Sequence, residues 1–279
     1  MTEQPSTPAP KTTGKPAQDS SDRAFVVALG KGLRILEVFT PDSIWLGNAE
    51  IAERTGIPKP TVSRFSKALI ASGHLYYSAR RRQYRLGVGA LTVGYAGRAG
   101  SSVTEVVRGY LQKLADDFNV HAALVGRDKT NAIHLEVCHS SNTLMTLQLD
   151  IGSRIPLAGT ASGHALLARV PEQEREFLYG YLARRHGKLW EELEPLVAKS
   201  KEDIAQFGFT SSTHGWQSDI NGVAVPIVSE GDSPVLAICC GGPSRHLTPK
   251  KMAIIGERLV EDAAKIMDDL SKRTSDRDG

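Results

Sequence analysis

No acidic residue stands between Glu53 and Glu105, although the sequence holds 31 of them. Nine bases fall in that interval: Arg54, Lys59, Arg64, Lys67, Arg80, Arg81, Arg82, Arg85 and Arg98. The chain has 34 Lys and Arg in all, so the rest of it carries 25 bases against 31 acids. The formal charge of +3 therefore conceals a positive segment on an acidic body. A polyanionic partner is expected for that segment alone. Cysteine is scarce too: Cys138, Cys239 and Cys240 are odd in number, two of them adjacent, with no CxxC spacing. That argues against a disulfide or zinc framework and for a reducing cytoplasm. His121, His134, His139, His186, His214 and His246 are scattered without metal-ligand spacing. No apolar run approaches the roughly 18 residues a membrane helix needs. There is no P-loop and no GxGxxG, and Gly159-Thr160-Ala161-Ser162-Gly163 lacks the glycine that GxSxG requires two places before its serine. No catalytic group, metal or cofactor is expected.

What is present suits two domains, since 279 residues is long for one core. Residues 1–23, rich in Pro, Thr, Ser and Lys, read as a disordered arm without the apolar stretch of a secretory signal. Leu29, Leu33 and Leu36, with Ile35 and Phe39, recur at helical spacing and predict a first helix over about 26–40. Pro41-Asp42-Ser43 breaks it. A short helix over 48–54 turns Ile51 and Ala52 inward and ends at Thr55-Gly56. A third begins at Lys59 or Pro60, where a proline's missing N–H is harmless. Val62, Phe65 and Leu69 mark its buried stripe. Lys59, Pro60, Thr61, Ser63, Arg64 and Lys67 stay outside, the small hydroxyls and forked cations that a groove-reading helix uses. Two short strands follow around Arg80-Arg81-Arg82, a wing that sets charge against backbone or minor groove. Residues 24–87 thus read as a winged helix-turn-helix.

From 88 to 103 the chain is small and apolar, and it reads as a linker helix weakened by glycine. From 104 to 272 the pattern is α/β. Ile133, Leu135 and Val137 alternate with His134, Glu136 and Cys138 as a half-buried strand; Met145, Leu147 and Leu149 alternate likewise. Helices are expected over about 163–169, 171–184 and 190–207, a hairpin around Glu230-Gly231-Asp232-Ser233, and a last helix from Thr248 with Ile255, Leu259, Ala263, Ile266 and Leu270 inward. Residues 273–279 read as a disordered tail. Gly159 to Gly163 precedes an apolar helix, so a ligand can reach its first amides, where the dipole favours an anion. Trp216, Asp219 and Asn221 offer an aromatic wall and polar readers.

Three stretches now resemble a known family: 27–37, Glu50-Ile51-Ala52-Glu53-Arg54-Thr55-Gly56-Ile57-Pro58 with Lys59 to Arg64, and Tyr84-Arg85-Leu86-Gly87. So do Arg154 to Ala168, Val223-Ala224-Val225-Pro226-Ile227 and Gly242-Pro243-Ser244-Arg245. In this order they resemble the IclR-type (isocitrate lyase regulator) bacterial transcription factors over roughly 25–272. The resemblance implies an α+β chain with a GAF-like effector-binding domain, a dimer or tetramer, and a double-stranded DNA operator. It also implies an effector pocket at Leu144, Leu147, Ile155, Ala161, Ser162, Gly222, Cys239 and Gly241. Pro60 and Phe65-Ser66 depart from the family's usual Ser and Leu-Leu, so the operator sequence does not carry over; His164 stands where the family commonly has Lys. The expected protein is a ligand-responsive repressor, or an activator, of genes for catabolism of a small organic or aromatic acid. The alternatives are a hydrolase-like sensor that converts its ligand and an architectural DNA binder without one.

Overall fold

The computed structural model describes residues 17–99, 102–140, 149–227 and 235–275. Contacts divide the chain into a first unit, 1–96, and a second, 97–279. In the first unit α1 (Ala17–Glu37), α2 (Asn48–Thr55) and α3 (Lys59–Ala71) are followed by the hairpin strands β1 (Leu75–Ser78) and β2 (Gln83–Leu86). The helix α4 (Val88–Ala99) then leads out of the unit. Ile35, Phe39, Leu46, Ile51, Ile57, Val62 and Leu75 form the core. Glu50 reaches back to accept the Gly47 N–H at 2.6 Å, which closes the start of α2. Gly56, at φ +68°, closes its end in the left-handed region.

Two expectations for α1 need correction. It starts at Ala17, not 26, and runs on through part of the segment read as a disordered arm. No glycine or proline interrupts 17–28, and Pro16 stands just before, where a helix begins most easily. Leu29 and Leu33 are exposed, as are Val26 and Val27. The core takes Ile35 and Phe39 instead, because only the end of α1 passes over α2 and α3.

The second unit is a six-stranded antiparallel sheet between helices. Its elements are α5 (Ser102–Phe118), β3 (His121–Asp128), β4 (Asn131–His139), β5 (Arg154–Pro156), α6 (Ala161–Arg169), α7 (Glu172–His186), α8 (Trp190–Phe207), β6 (Thr210–Thr213), β7 (Ile220–Ile227), β8 (Leu236–Pro243) and α9 (Pro249–Ser275). The strand order is β5-β4-β3-β8-β7-β6. Ala122 and Leu124 of β3 pack on the layer of α5 and α9, with Leu111, Leu114, Ile255, Leu259 and Ile266. Ala123 and Val125 face the layer of α6, α7 and α8, with Leu166, Leu178, Leu182, Trp190 and Val197. The period-2 alternation of a strand sends successive side chains to opposite layers.

Here β4 reverses its expected burial. Ala132, His134, Glu136 and Cys138 are buried, and Ile133, Leu135 and Val137 only half-buried. Both faces of this sheet are covered, so alternation cannot mark a solvent side. The polar members have partners: Glu136 receives Arg108, and His134 Nδ1 donates to the Ser153 carbonyl at 3.0 Å. A bulge also intervenes. Glu136 pairs with Leu124 and His134 with Val125, which leaves Leu135 as the extra residue. The bulge turns His134 to the face of Val125. The short edge strands β5 and β6 were not expected. The strand expected around Met145 and Leu147 and the hairpin tip at 230–233 lie outside the described residues, and Leu149 is described but not in a strand. No helix among the described residues is long and apolar enough to cross a membrane.

Candidate functional site

Two surfaces are candidates for function, one in each unit. In the first, α3 presents Lys59, Pro60, Arg64 and Lys67 exposed, with Thr61 and Ser63 half-buried, while Val62 and Ser66 are buried. The helix has no acid in its first turn, so its N-terminal dipole is unopposed toward a phosphate. Asn48, which sequence reasoning missed, braces this end. Its Nδ2 donates to the Lys59 carbonyl at 3.2 Å, and its Oδ1 accepts from Ser63 Oγ at 3.2 Å. Ser63 is therefore engaged in holding α3 to α2, whereas Arg64 is exposed, its guanidinium 5.4 Å from the Phe65 ring centre.

The wing is built as tightly. Ser78 pairs with Gln83, and the Arg82 N–H donates to the Ser78 carbonyl at 2.8 Å across the loop. Arg82 sits at φ +55°, a left-handed conformation that a closing hairpin loop imposes. Leu46 exchanges two backbone bonds with Tyr84, at 3.0 and 2.8 Å. That rung brings Trp45 under the wing. The guanidinium of Arg81 lies 5.1 Å from the Trp45 ring centre and that of Arg85 lies 5.3 Å from it, with Arg85 also 5.1 Å from Tyr76. Cation–π contact on an exposed face steadies these two arginines and leaves both charges intact. Arg80 and Arg82 are exposed. At the wing's exit the Gly87 N–H donates to the His74 carbonyl at 2.8 Å; a Cβ there would lie 2.2 Å from the Gly73 carbonyl oxygen.

In the second unit one row crosses five strands in register: Ser212, Gly222, Gly241, His121 and His139. Residues opposed in antiparallel strands share a face, so two adjacent glycines remove the side chains beside His121. The space they leave is a cavity of about 480 Å³, its open mouth included, between the sheet and the start of α6. Ile155, Ala161, Ser162, Trp216, Asn221, Gly222, Cys239 and Gly241 line it. So do Thr160, within the stretch named for it, and His121, His134, Ser212 and Ile220, which the sequence did not single out for it. Leu144 and Leu147 lie outside the described residues. Asp219 is exposed and is not in the lining: it occupies the turn before β7, where its carbonyl accepts the Ser244 N–H at 2.6 Å. Asn221 is buried with its amide engaged, donating to the Leu247 carbonyl at 2.9 Å and accepting the His214 N–H at 3.3 Å.

Local rules shape the α6 end. Thr160 caps the helix, its hydroxyl accepting the Gly163 N–H at 3.1 Å. The first two amides, of Ala161 and Ser162, have no acceptor within the helix. A Cβ on Gly163 would sit 2.1 Å from the Leu157 carbonyl oxygen, so only glycine lets α6 come this close. Gly159 and Gly215 meet backbone to backbone in the same way, which folds the Trp216 loop over the cavity.

The chemistry of the lining is neutral. Burial, with the rings of His134 and His139 beside it, pushes the His121 imidazole down to about 3. Burial lowers His134 as well, against the pull of the Ser153 carbonyl. Burial raises the Cys239 thiol to about 12, so it is no thiolate nucleophile at neutral pH. Ser162 has no base: its hydroxyl bonds Thr160 at 3.4 Å, and His164 Nε2 is engaged by the Ala158 carbonyl at 2.6 Å. Among the described residues no cluster of three His, Cys, Asp or Glu is placed to hold a metal ion.

Comparison with known proteins agrees with this two-part build. Residues 28–79 match the IclR helix-turn-helix domain, and 99–268 match the bacterial transcriptional regulator IclR C-terminal domain. The HTH-type transcriptional regulator TsaQ1/TsaQ2 of Comamonas testosteroni is 29% identical over 228 residues, 81% of this chain and 82% of that protein. A crystal structure of an IclR family transcriptional regulator from Brucella abortus superposes with a TM-score of 0.78 at 36% identity, over 90% of this chain and 95% of that one. An IclR homologue from Microbacterium hydrocarbonoxydans, solved with 4-hydroxybenzoate, shares the fold at a TM-score of 0.67 and 23% identity, over 88% of this chain and 99% of that one.

Proposed function

Because this chain belongs to the IclR family of bacterial transcriptional regulators, we propose that it is a cytoplasmic repressor whose grip on an operator is set by a small organic acid. The family is made up of DNA-binding regulators, not enzymes. Lys59, Pro60, Thr61, Arg64 and Lys67 enter the major groove, with Ser63 keeping the helix in place. Arg80, Arg81 and Arg82 grip phosphate or minor groove. Two copies present two such heads to half-sites about one helical turn apart, or a multiple of it. Exposed apolar residues on one side of α1 (Val26, Leu29, Leu33) and one side of α4 (Val88, Leu91, Tyr95) support pairing, since exposed apolar surface of this kind seeks a partner. A carboxylate directed at the first amides of α6 and an apolar body against Trp216 and Ile155 suit the cavity. The 4-hydroxybenzoate of the Microbacterium homologue supports an aromatic acid of that kind. The controlled genes then serve breakdown of the acid, and the acid acts by binding the DNA-holding and DNA-releasing forms unequally. Repression needs only occupancy of a promoter, the simplest use of this interface.

One observation carries the reading: a head whose recognition helix and wing hold arginines and no acid shares a chain with a unit that encloses a neutral cavity. Gel-shift titrations on promoter fragments of the adjacent genes test it, run across salt and with organic acids added. Binding that weakens steeply with salt and responds to at least one acid is expected. Affinity indifferent to every acid would reduce the protein to a DNA binder without an effector, and a reporter silenced by deleting the gene would make it an activator.

A further inference from the structure

His121 is the odd member of the cavity. It is 2% exposed, and neither ring nitrogen has a hydrogen-bond partner. A buried polar group without a partner is uncommon and costly, and a water or a ligand atom in the cavity can complete the bonding. His134 stands beside it, ring centres 5.5 Å apart and planes at 60°, and both rings line the cavity. The Ser153 carbonyl fixes the tautomer of His134. A carbonyl only accepts, so Nδ1 of His134 carries its proton toward Ser153, and Nε2 of the neutral ring is left as an acceptor. Neutral His121 offers one N–H and one lone pair.

We infer that the cavity holds a hydroxyl of its ligand at the His121–His134 pair, so that the effector is a hydroxy acid, phenolic or alcoholic, and not the bare acid. This rests on the organic-acid reading of the cavity. A hydroxyl donates to Nε2 of His134 and accepts from the N–H of His121, so each ring gains a partner without changing charge. A carboxylate has no proton to give and would face the His134 lone pair with its own. An ether accepts but cannot donate. Protonating the rings to suit a carboxylate is opposed by burial and by the third ring, His139, 5.1 Å from His121. The acid group is left for the α6 end, where Ala161 and Ser162 line the same cavity. A site that hydrogen-bonds a ligand hydroxyl rejects the analogue lacking it far more strongly than an apolar pocket rejects a missing methylene.

Calorimetry on the full chain tests this with five probes: benzoate, 3- and 4-hydroxybenzoate, and the 3- and 4-methoxy ethers. At least one hydroxybenzoate should bind tenfold or more tightly than benzoate and than its own ether. In His121→Phe, which keeps a ring and removes two unpaired nitrogens, that ratio should fall below twofold with the melting temperature unchanged or raised. His134→Gln, a second variant, should also cut the ratio. Benzoate binding as tightly as both hydroxybenzoates, and abolished by Ser162→Trp, which fills the α6 end of the cavity, would overturn the hydroxyl inference and leave the acid reading standing. A ratio that survives both histidine changes would overturn it in the same way. Absence of binding by all five acids would remove both readings together.

Discussion

Arg64 and Arg81 bear the same charge but are held differently. Arg64 projects from the outer side of α3 against the Phe65 ring of the same helix, whereas Arg81 lies in the wing on the Trp45 ring of a distant loop. Arg64→Ala should relax base preference at one operator position by about 1–3 kcal/mol, and Arg81→Ala should weaken all sequences alike and lower the salt slope by about one. A gel-shift matrix of operator variants against salt separates the two, and identical profiles for both variants would refute the division of labour. The helical period makes the outer face of α3 legible without coordinates. Trp45 is not legible, because it lies in a loop and reaches the wing only through the long-range rung between Leu46 and Tyr84. His121 leads to a pH prediction. Its imidazole is depressed from 6.5 to about 3 on folding, so the unfolded chain binds the proton first as the pH falls. Stability from this group is complete above about pH 6.5 and drains away toward pH 3, at about 1.4 kcal/mol per pH unit. His134 and His164 shift in the same direction. Melting temperatures of His121→Phe and the parent should diverge steadily in the variant's favour between pH 6.5 and 4; parallel curves would refute it.

At the scale of elements, the first turn of α6 is the tightest joint in the second unit. A methyl at Gly163 would drive into the Leu157 backbone, where nothing flexible can yield. Gly163→Ala should therefore lower stability by about 2 kcal/mol or more and impair ligand binding, although alanine is the better helix former. Thermal denaturation decides it, and a variant as stable as the parent would mean that α6 stands off the sheet. The boundaries of α2, α3 and α8 follow from caps and apolar spacing, as does the buried stripe of α9. The faces of β4 do not, since helices cover both sides of the sheet and a bulge at Leu135 shifts the phase. The start of α1 escapes too, because polar residues without a breaker continue a helix that composition alone assigns to an arm.

On the scale of the whole molecule, exposed apolar helices in the first unit demand an explanation that a monomer does not supply. Leu91 is 62% and Leu29 57% exposed. Leu91→Glu should leave the monomer folded, shift the mass in light scattering to that of one chain, and cut operator affinity by more than tenfold, because each head then binds alone. An oligomer of unchanged mass would place the pairing surface elsewhere. The sequence by itself determined the order of parts: a cationic three-helix head with a wing, then an α/β unit closed by a long amphipathic helix. Those follow from local periodicity, charge and turn chemistry, which neighbouring residues settle among themselves. Only the tertiary structure decided which polar groups meet. His121, His134 and His139 are scattered along the chain, and they gather because antiparallel register and one bulge set them on a single face beside two glycines. Register is a property of paired strands, and no spacing within one strand records it.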